Sequence, residues 1–316
     1  MIVVNGKTNA IRERERCDSA GATRMSAADA NDQTPPISLA YSVDADDAFM
    51  FHALRAGAID TGGLHFIHRR DHTAALNQLA IDAGADVVAV SVGVYPQIAG
   101  RYQMLPHGAS VGRGFGPVVV ARRPLAAADL AGLRVGIPGA TTTAWLVLRL
   151  IAPAAIGVEI PISPFAAIFD ALASGAVDAA LLIHEGRLLY RQRGLHLVVD
   201  IGDWWSAAEG LPLPLGVNVI RRGLGPARVA EVSAALRASI AWGLAHRAEI
   251  IAQIAAEDRG DKALSDQSLI DHYLNLYAND DTAAMADDAK HATDVLFARA
   301  RAAGLLASAV EVDWAP

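Results

Sequence analysis

From Pro36 onward, short apolar runs alternate with longer stretches of helical spacing, the pattern of repeated strand–helix–strand units. Residues 37–41 read as a first strand. Asp46 and Asp47 then cap a helix to about residue 56, and Gly57 stops it. Residues 65–67 suit a second strand, with Asp71 capping a helix over 73–83. An apolar strand over 87–92 carries Ser91 near its end, and another covers 118–121, with a helix start at 127–130. The middle third repeats the logic. A strand over 134–137 runs into Pro138-Gly139, and Thr141-Thr142-Thr143 opens a helix to about 150. A helix near 165–174 precedes Gly175, 179–183 is a buried strand, and short strands cover 197–200 and 217–220. The remainder is helical over about 227–256, 266–277 and 282–302.

This order predicts an α/β fold of two lobes with a central cleft and a helical C-terminal region. A helical end of this kind implies that the chain crosses to a second lobe and returns, near 116–123 and 215–222. Residues 37–117 and 217–316 then form lobe 1 and 118–216 form lobe 2. A hinge of that kind leaves a cleft in which a small molecule sits.

Composition narrows the function classes. Of the 316 residues 53% are hydrophobic and 19% charged, with a mean hydropathy of +0.27, as in a globular protein. No run of 18 apolar residues marks a membrane span. A net charge of −7 argues against a nucleic-acid partner, because phosphate backbones need clustered Lys and Arg. The first 36 residues hold five positive and five negative side chains and no apolar stretch after them. They read as a disordered extension rather than a secretory signal, with translation from Met25 as an alternative. The single cysteine, Cys17, lies there, so the remainder has no disulfide, cysteine nucleophile or Cys-based zinc site. A cytoplasmic setting is expected, and the oligomeric state is not readable from the sequence.

Four places bring polar groups to the carboxyl ends of expected strands, where open α/β sheets bind ligands. The turn Ser42-Val43-Asp44-Ala45-Asp46-Asp47 either caps a helix or binds an oxygen-rich ligand; three acids in four residues exceed what a cap needs. Thr142 and Thr143 sit at a helix start after Gly139, as caps or as a hydroxyl-binding pocket, without the lysine of a P-loop. Ser91 is a strand-end serine, and such residues are usually turn formers. His184 follows the buried strand, beside Glu185. Its near-neutral pKa suits a general base, although the residues alone favour a buried histidine satisfied by a backbone group. Strand alternation would turn Glu185 away from it.

Three further patterns carry less. His65, His68 and His72 fall on different faces, so a metal cluster is not expected. Gly112-Arg113-Gly114-Phe115-Gly116 lacks dinucleotide-binding spacing and suits a hinge or close backbone approach. Trp204-Trp205 pack beneath the hinge or stack on a flat ligand, packing being the blander account.

Together these stretches resemble the family of 1,4-dihydroxy-6-naphthoate synthase in the futalosine route to menaquinone. The likeness runs over about 37–306. It is carried by Leu181-Leu182-Ile183-His184-Glu185, Asp203-Trp204-Trp205, Gly210-Leu211-Pro212-Leu213-Pro214-Leu215-Gly216, and the stretches 108–117 and 139–144. The resemblance implies a type II periplasmic-binding-protein fold used by a cytoplasmic enzyme. Its reaction converts cyclic dehypoxanthine futalosine to 1,4-dihydroxy-6-naphthoate with release of a three-carbon fragment, using no metal or organic cofactor. It places the catalytic base on His184 and substrate contacts on Ser42, Asp46, Asp47, Ser91, Thr142 and Thr143. One run departs from the pattern. The family's Ser-Pro-Cys-Pro-Asn-Asp-Thr-Phe reads Ser42-Val43-Asp44-Ala45-Asp46-Asp47-Ala48-Phe49 here. Asp46 in place of the amide is expected to add charge and remove a donor, which leaves open a related substrate. A non-catalytic solute binder of the same fold is the other class.

Overall fold

A computed structural model describes residues 35–162 and 164–316. The expected N-terminal extension, up to Thr34, and Cys17 lie outside the described residues.

Eleven strands are described: β1 Ile37–Ser42, β2 Phe66–Asp71, β3 Val87–Ser91, β4 Tyr102–Met104, β5 Ser110–Gly112, β6 Val118–Ala121, β7 Arg134–Ile137, β8 Ile156–Glu159, β9 Ala179–Leu182, β10 His196–Asp200 and β11 Leu213–Arg221. They form two sheets. The first has the order β2-β1-β3-β11-β4, with β5 pairing along β11, and the second β10-β6-β9-β7-β8. Read from β8, the second repeats the first. Three parallel strands are followed by one antiparallel strand adjoining an interlobe crossing, then by an edge strand. Each sheet with its helices is one lobe of a two-lobed α/β fold.

The central strands are legible because both their faces are covered. β3, β6 and β9 are buried at every position, which demands unbroken apolar runs. The edge strand β2 alternates half-buried and exposed positions, and Ile67 is 59% exposed. One apolar cluster joins the lobes, running from Val88 and Val90 of the first sheet to Val119, Val135 and Ile137 of the second.

Several local expectations shift. The first helix begins after Asp44, spans Ala45–Met50, and is followed by a separate short helix His52–Arg55. Asp46 and Asp47 therefore lie in its first turn and cap nothing, although Gly57 does stop the segment at φ +64°. The next helix, Thr73–Ile81, is capped by His72 rather than Asp71: its Nδ1 accepts from the Ala75 N–H at 3.4 Å. β11 joins the first sheet at Leu213, so the return crossing precedes 215–222. The chain returns through helix Ile201–Glu209, which the sequence reading passed over. Asp200 caps it by accepting from Gly202 and Asp203, and Gly210 ends it in the left-handed region. Trp205 is fully buried there, its indole N–H donating to the Pro212 carbonyl at 3.0 Å. The C-terminal helices include Pro226–Ala245, Arg247–Ala256, Gln267–Tyr277 and Asp287–Ala302. Among the described residues no helix is long and apolar enough to cross a membrane.

The two crossings touch. A Cβ on Gly202 would lie 2.0 Å from the Phe115 carbonyl oxygen, and one on Gly116 2.8 Å from the Gly202 nitrogen. The atoms that clash at both positions are backbone, so no flexible side chain can yield. Gly202→Ala is expected to lower stability by about 1–3 kcal/mol, the usual cost of overpacking. Gly100→Ala, with open space at its Cβ, should stay within about 0.5 kcal/mol as a surface change. Urea unfolding midpoints compare them, and equal midpoints would remove steric exclusion at the crossing.

Candidate active site

The seven residues singled out from the sequence, Ser42, Asp46, Asp47, Ser91, Thr142, Thr143 and His184, all line one cavity between the lobes. It lies at the carboxyl ends of β1, β3 and β9. Aliphatic side chains such as Leu76, Val90 and Ile183, with Tyr273 and Tyr277, supply much of its remaining wall. A second, more polar cavity opens at the mouth of the cleft and shares Ser42, Asp44 and His184 with the first.

His184 stands just beyond β9 with φ +50°, a left-handed conformation that costs a non-glycine residue about 1–2 kcal/mol. Contacts from the opposite lobe hold it there. Its Nδ1 lies 2.5 Å from Asp44 Oδ2, and its Nε2 lies 3.0 Å from Thr73 Oγ1. Asp44 is the N-cap residue of helix Ala45–Met50, yet its carboxylate makes no cap hydrogen bond. It turns to the histidine instead. With Asp44 ionised, Nδ1–H donates to it, which leaves Nε2 as the nitrogen that gains or loses a proton.

The charges follow from this geometry. Burial would push the Asp44 carboxyl up, but His184 overrides burial and holds it at about 2. Burial would push His184 down, and the Asp44 carboxylate raises it instead to about 9. The near-neutral base expected from the sequence is thus a stronger base, protonated at rest. Asp46 goes the other way: burial, then the neighbouring Asp44 and Asp47 carboxylates, raise it well above the carboxylate range. Ser110 Oγ lies 2.7 Å from its Oδ2 and the Tyr273 hydroxyl 3.2 Å from its Oδ1. This shift favours the neutral acid, which keeps a donor where the family has an amide. Burial and Asp44 also raise Asp47, to about 7, against the Ser42 N–H that donates to it at 2.6 Å.

The other predicted residues divide. Thr142 Oγ1 donates to the Gly139 carbonyl and accepts from the Trp145 N–H, which makes it a helix cap. Thr143 Oγ1 donates to the Leu215 carbonyl at 2.7 Å and accepts from the Gly93 N–H at 2.9 Å, clasping both lobes. Ser91 is tied by its N–H and hydroxyl to Asn77. Glu185 meets Arg259, and it follows a residue in the left-handed region rather than standing in a strand. His68 contacts Tyr41 and His72 caps its helix, so the three histidines are not a cluster. Trp204 and Trp205 do not line the cavity.

Sequence reasoning missed Asp44, Thr73, Ser110 and Tyr273. Asp44 stood in the acidic turn already noted, but nothing local told which of its acids meets the histidine. Among the described residues, Asp44, Asp46 and His184 form the one group with metal-ligand spacing.

The linkage fixes a pH window. His184 is raised from 6.5, so its contribution is complete below 6.5 and lost as pH rises through about 9. Asp44 is lowered from 3.8, so its contribution is present above 3.8 and lost as pH falls through about 2. Removing one partner of a buried pair typically costs about 3 kcal/mol. Asp44→Asn should therefore destabilise by about that amount between pH 4 and 6.5, with the gap closing toward pH 9. Denaturant unfolding across pH measures it; a gap independent of pH between 6 and 9.5 would contradict the pair.

Comparison with known proteins follows the same lines. A family model described as menaquinone biosynthesis matches residues 37–302. A 1,4-dihydroxy-6-naphthoate synthase of Thermus thermophilus is 37% identical over 269 residues, covering 85% of this chain and 95% of that protein. One from Streptomyces coelicolor is 36% identical over 276 residues, covering 85% and 94%. Among solved structures, protein AF1704 of Archaeoglobus fulgidus superposes with a TM-score of 0.79 at 39% identity, covering 86% of this chain and 98% of that one. The alkanesulfonate-binding protein SsuA of Xanthomonas axonopodis pv. citri, at 15% identity, TM-score 0.66 and coverage of 88% and 96%, shares the fold alone.

Proposed function

The chain belongs to the menaquinone biosynthesis family, and on that premise we propose that it is a carbon–carbon lyase. It converts cyclic dehypoxanthine futalosine to 1,4-dihydroxy-6-naphthoate, with His184 as general base. The observation that carries this reading is the histidine in the cleft, Nδ1 fixed on Asp44 and Nε2 beside Thr73 in the cavity wall. A solute binder of the same fold needs no buried carboxylate to orient an imidazole. A base does. Nε2 of the neutral ring takes a proton from the substrate, and the positive charge it gains lies against the Asp44 carboxylate. The freed electron pair forms a π bond as the carbon–carbon bond breaks. The pair from that bond stays on the other fragment and takes up a proton, for which the His184 imidazolium is a source, and the apolar wall excludes water around it. The acid–base step draws on protein groups alone, and the biosynthetic role fits a cytoplasmic setting.

The altered turn favours a second reading, a related substrate for the same machinery. Asp44 and Asp46 stand where the family's run has Cys and Asn, so the wall that meets the substrate differs in two adjacent side chains. The neutral state of Asp46 moderates that difference, since a protonated carboxyl resembles an amide in size and still donates.

Incubation with cyclic dehypoxanthine futalosine, followed by mass spectrometry for the naphthoate, tests the assignment. Product is expected from the wild type, and folded His184→Ala should lose about 10²–10⁴ in kcat, the usual worth of a general base. Because the base must be neutral, kcat/KM should climb with pH to a limb near 9. Full turnover by His184→Ala would sink the base assignment, and ligand binding without product would support the solute binder.

A further inference from the structure

Two adjacent side chains of the second lobe are gripped from the first in opposite directions. His184 meets Asp44 and Thr73, while Glu185 Oε1 accepts from Arg259 Nη1. Both members of the second pair are almost fully buried, with side-chain exposures of 4% for Arg259 and 3% for Glu185. The other end of the guanidinium donates to the Leu264 carbonyl. Arg259 follows helix Arg247–Ala256, which packs on helices Ala45–Met50 and Gln267–Tyr277 of the first lobe. Its loop also carries Asp261, which pairs with Arg193 of the second lobe at 2.5 Å. The helix that carries Asp44 at its start is thus the one that supports Arg259.

We infer that Arg259 is a positioning residue. By holding Glu185 across the cleft, it fixes the left-handed turn that presents His184 to Asp44. A buried ion pair contributes little net stability compared with apolar packing, so a fixed geometry is the better account of its presence here. The planar fork of arginine suits the task, since it engages Glu185 and a backbone carbonyl at once. Misplacement of a reacting group by about 1 Å can cost about 10²-fold in rate, which is the scale at stake. The inference rests on the reading of His184 as the base.

The test is an NMR titration of the His184 ring in wild type, Arg259→Ala and Arg259→Lys, with kcat and KM measured alongside. The charged groups that face this ring are Asp44, Asp46 and Asp47 from the first lobe and Glu185 beside it. Arg70, Asp71, His72, Glu257, Asp258 and Arg259 line the mouth. The sign discriminates. Removing the Arg259 cation while the Asp44 contact stays would raise the His184 pKa, because Glu185 is left uncompensated. Loss of positioning lowers it, because the ring leaves Asp44. A fall in Arg259→Ala from about 9 toward the free-imidazole range is expected. So is a kcat loss of about 10–100-fold with little change in KM. Arg259→Lys should recover part of both, and carries the test in the same direction if the alanine variant does not fold. A rise, or an unmoved titration, overturns the inference. So does an equal fall in Arg193→Ala, which would make lobe closure in general responsible. If wild type gives no naphthoate the lyase reading fails, and the titration still decides the role of Arg259.

Discussion

An imidazole and a carboxylate from different lobes share one proton at the bottom of the cleft, and most of the site's properties descend from that contact. Asp44 leaves its helix uncapped to make it, and His184 occupies a left-handed backbone conformation to reach it. The contact fixes which ring nitrogen faces Thr73, lifts the histidine to about 9, and holds the aspartate at about 2. Its carboxylate also adds to the burial that raises Asp46 well above the carboxylate range. Since each partner belongs to a different lobe, the base is assembled where the lobes meet.

The repeated sheet order explains why the groups meet there. Both lobes present the carboxyl ends of their parallel strands to the same cleft, so the turns after β1, β2 and β9 converge. The glycine-lined contact of the two crossings brings the lobes close, and Thr143 and Gly93 clasp them beside the cavity. At the meeting point a titratable pair, Asp44 and His184, is buried.

The sequence disclosed what is periodic and local. Unbroken apolar runs revealed β3, β6 and β9, and the Thr142 cap with its Gly139 turn revealed a helix start. Strands β4 and β5 escaped because three residues cannot establish an alternation. Helix Ile201–Glu209 carried both end signals, Asp200 and Gly210, but its two tryptophans read as packing beneath the hinge rather than as part of a helix. The site was half visible. All seven residues predicted from the chain line the cavity, while Asp44, Thr73 and Arg259 act through contacts made between the lobes and Tyr273 through its contact with Asp46. Spacing along a chain holds no record of such contacts. The raised Asp46 carboxyl was not legible either, because the burial that leads it is set by the whole fold.

The central claim is that Asp44 orients His184 with the proton on Nδ1 and leaves Nε2 to do the chemistry. ¹⁵N correlation spectra of the histidine rings, recorded across pH on the intact protein, report both the tautomer and the titration. A His184 ring that stays doubly protonated well above pH 7, and on losing a proton near pH 9 keeps the one on Nδ1, is the result the account predicts. A ring that is neutral at pH 7, or that carries its remaining proton on Nε2, would contradict it.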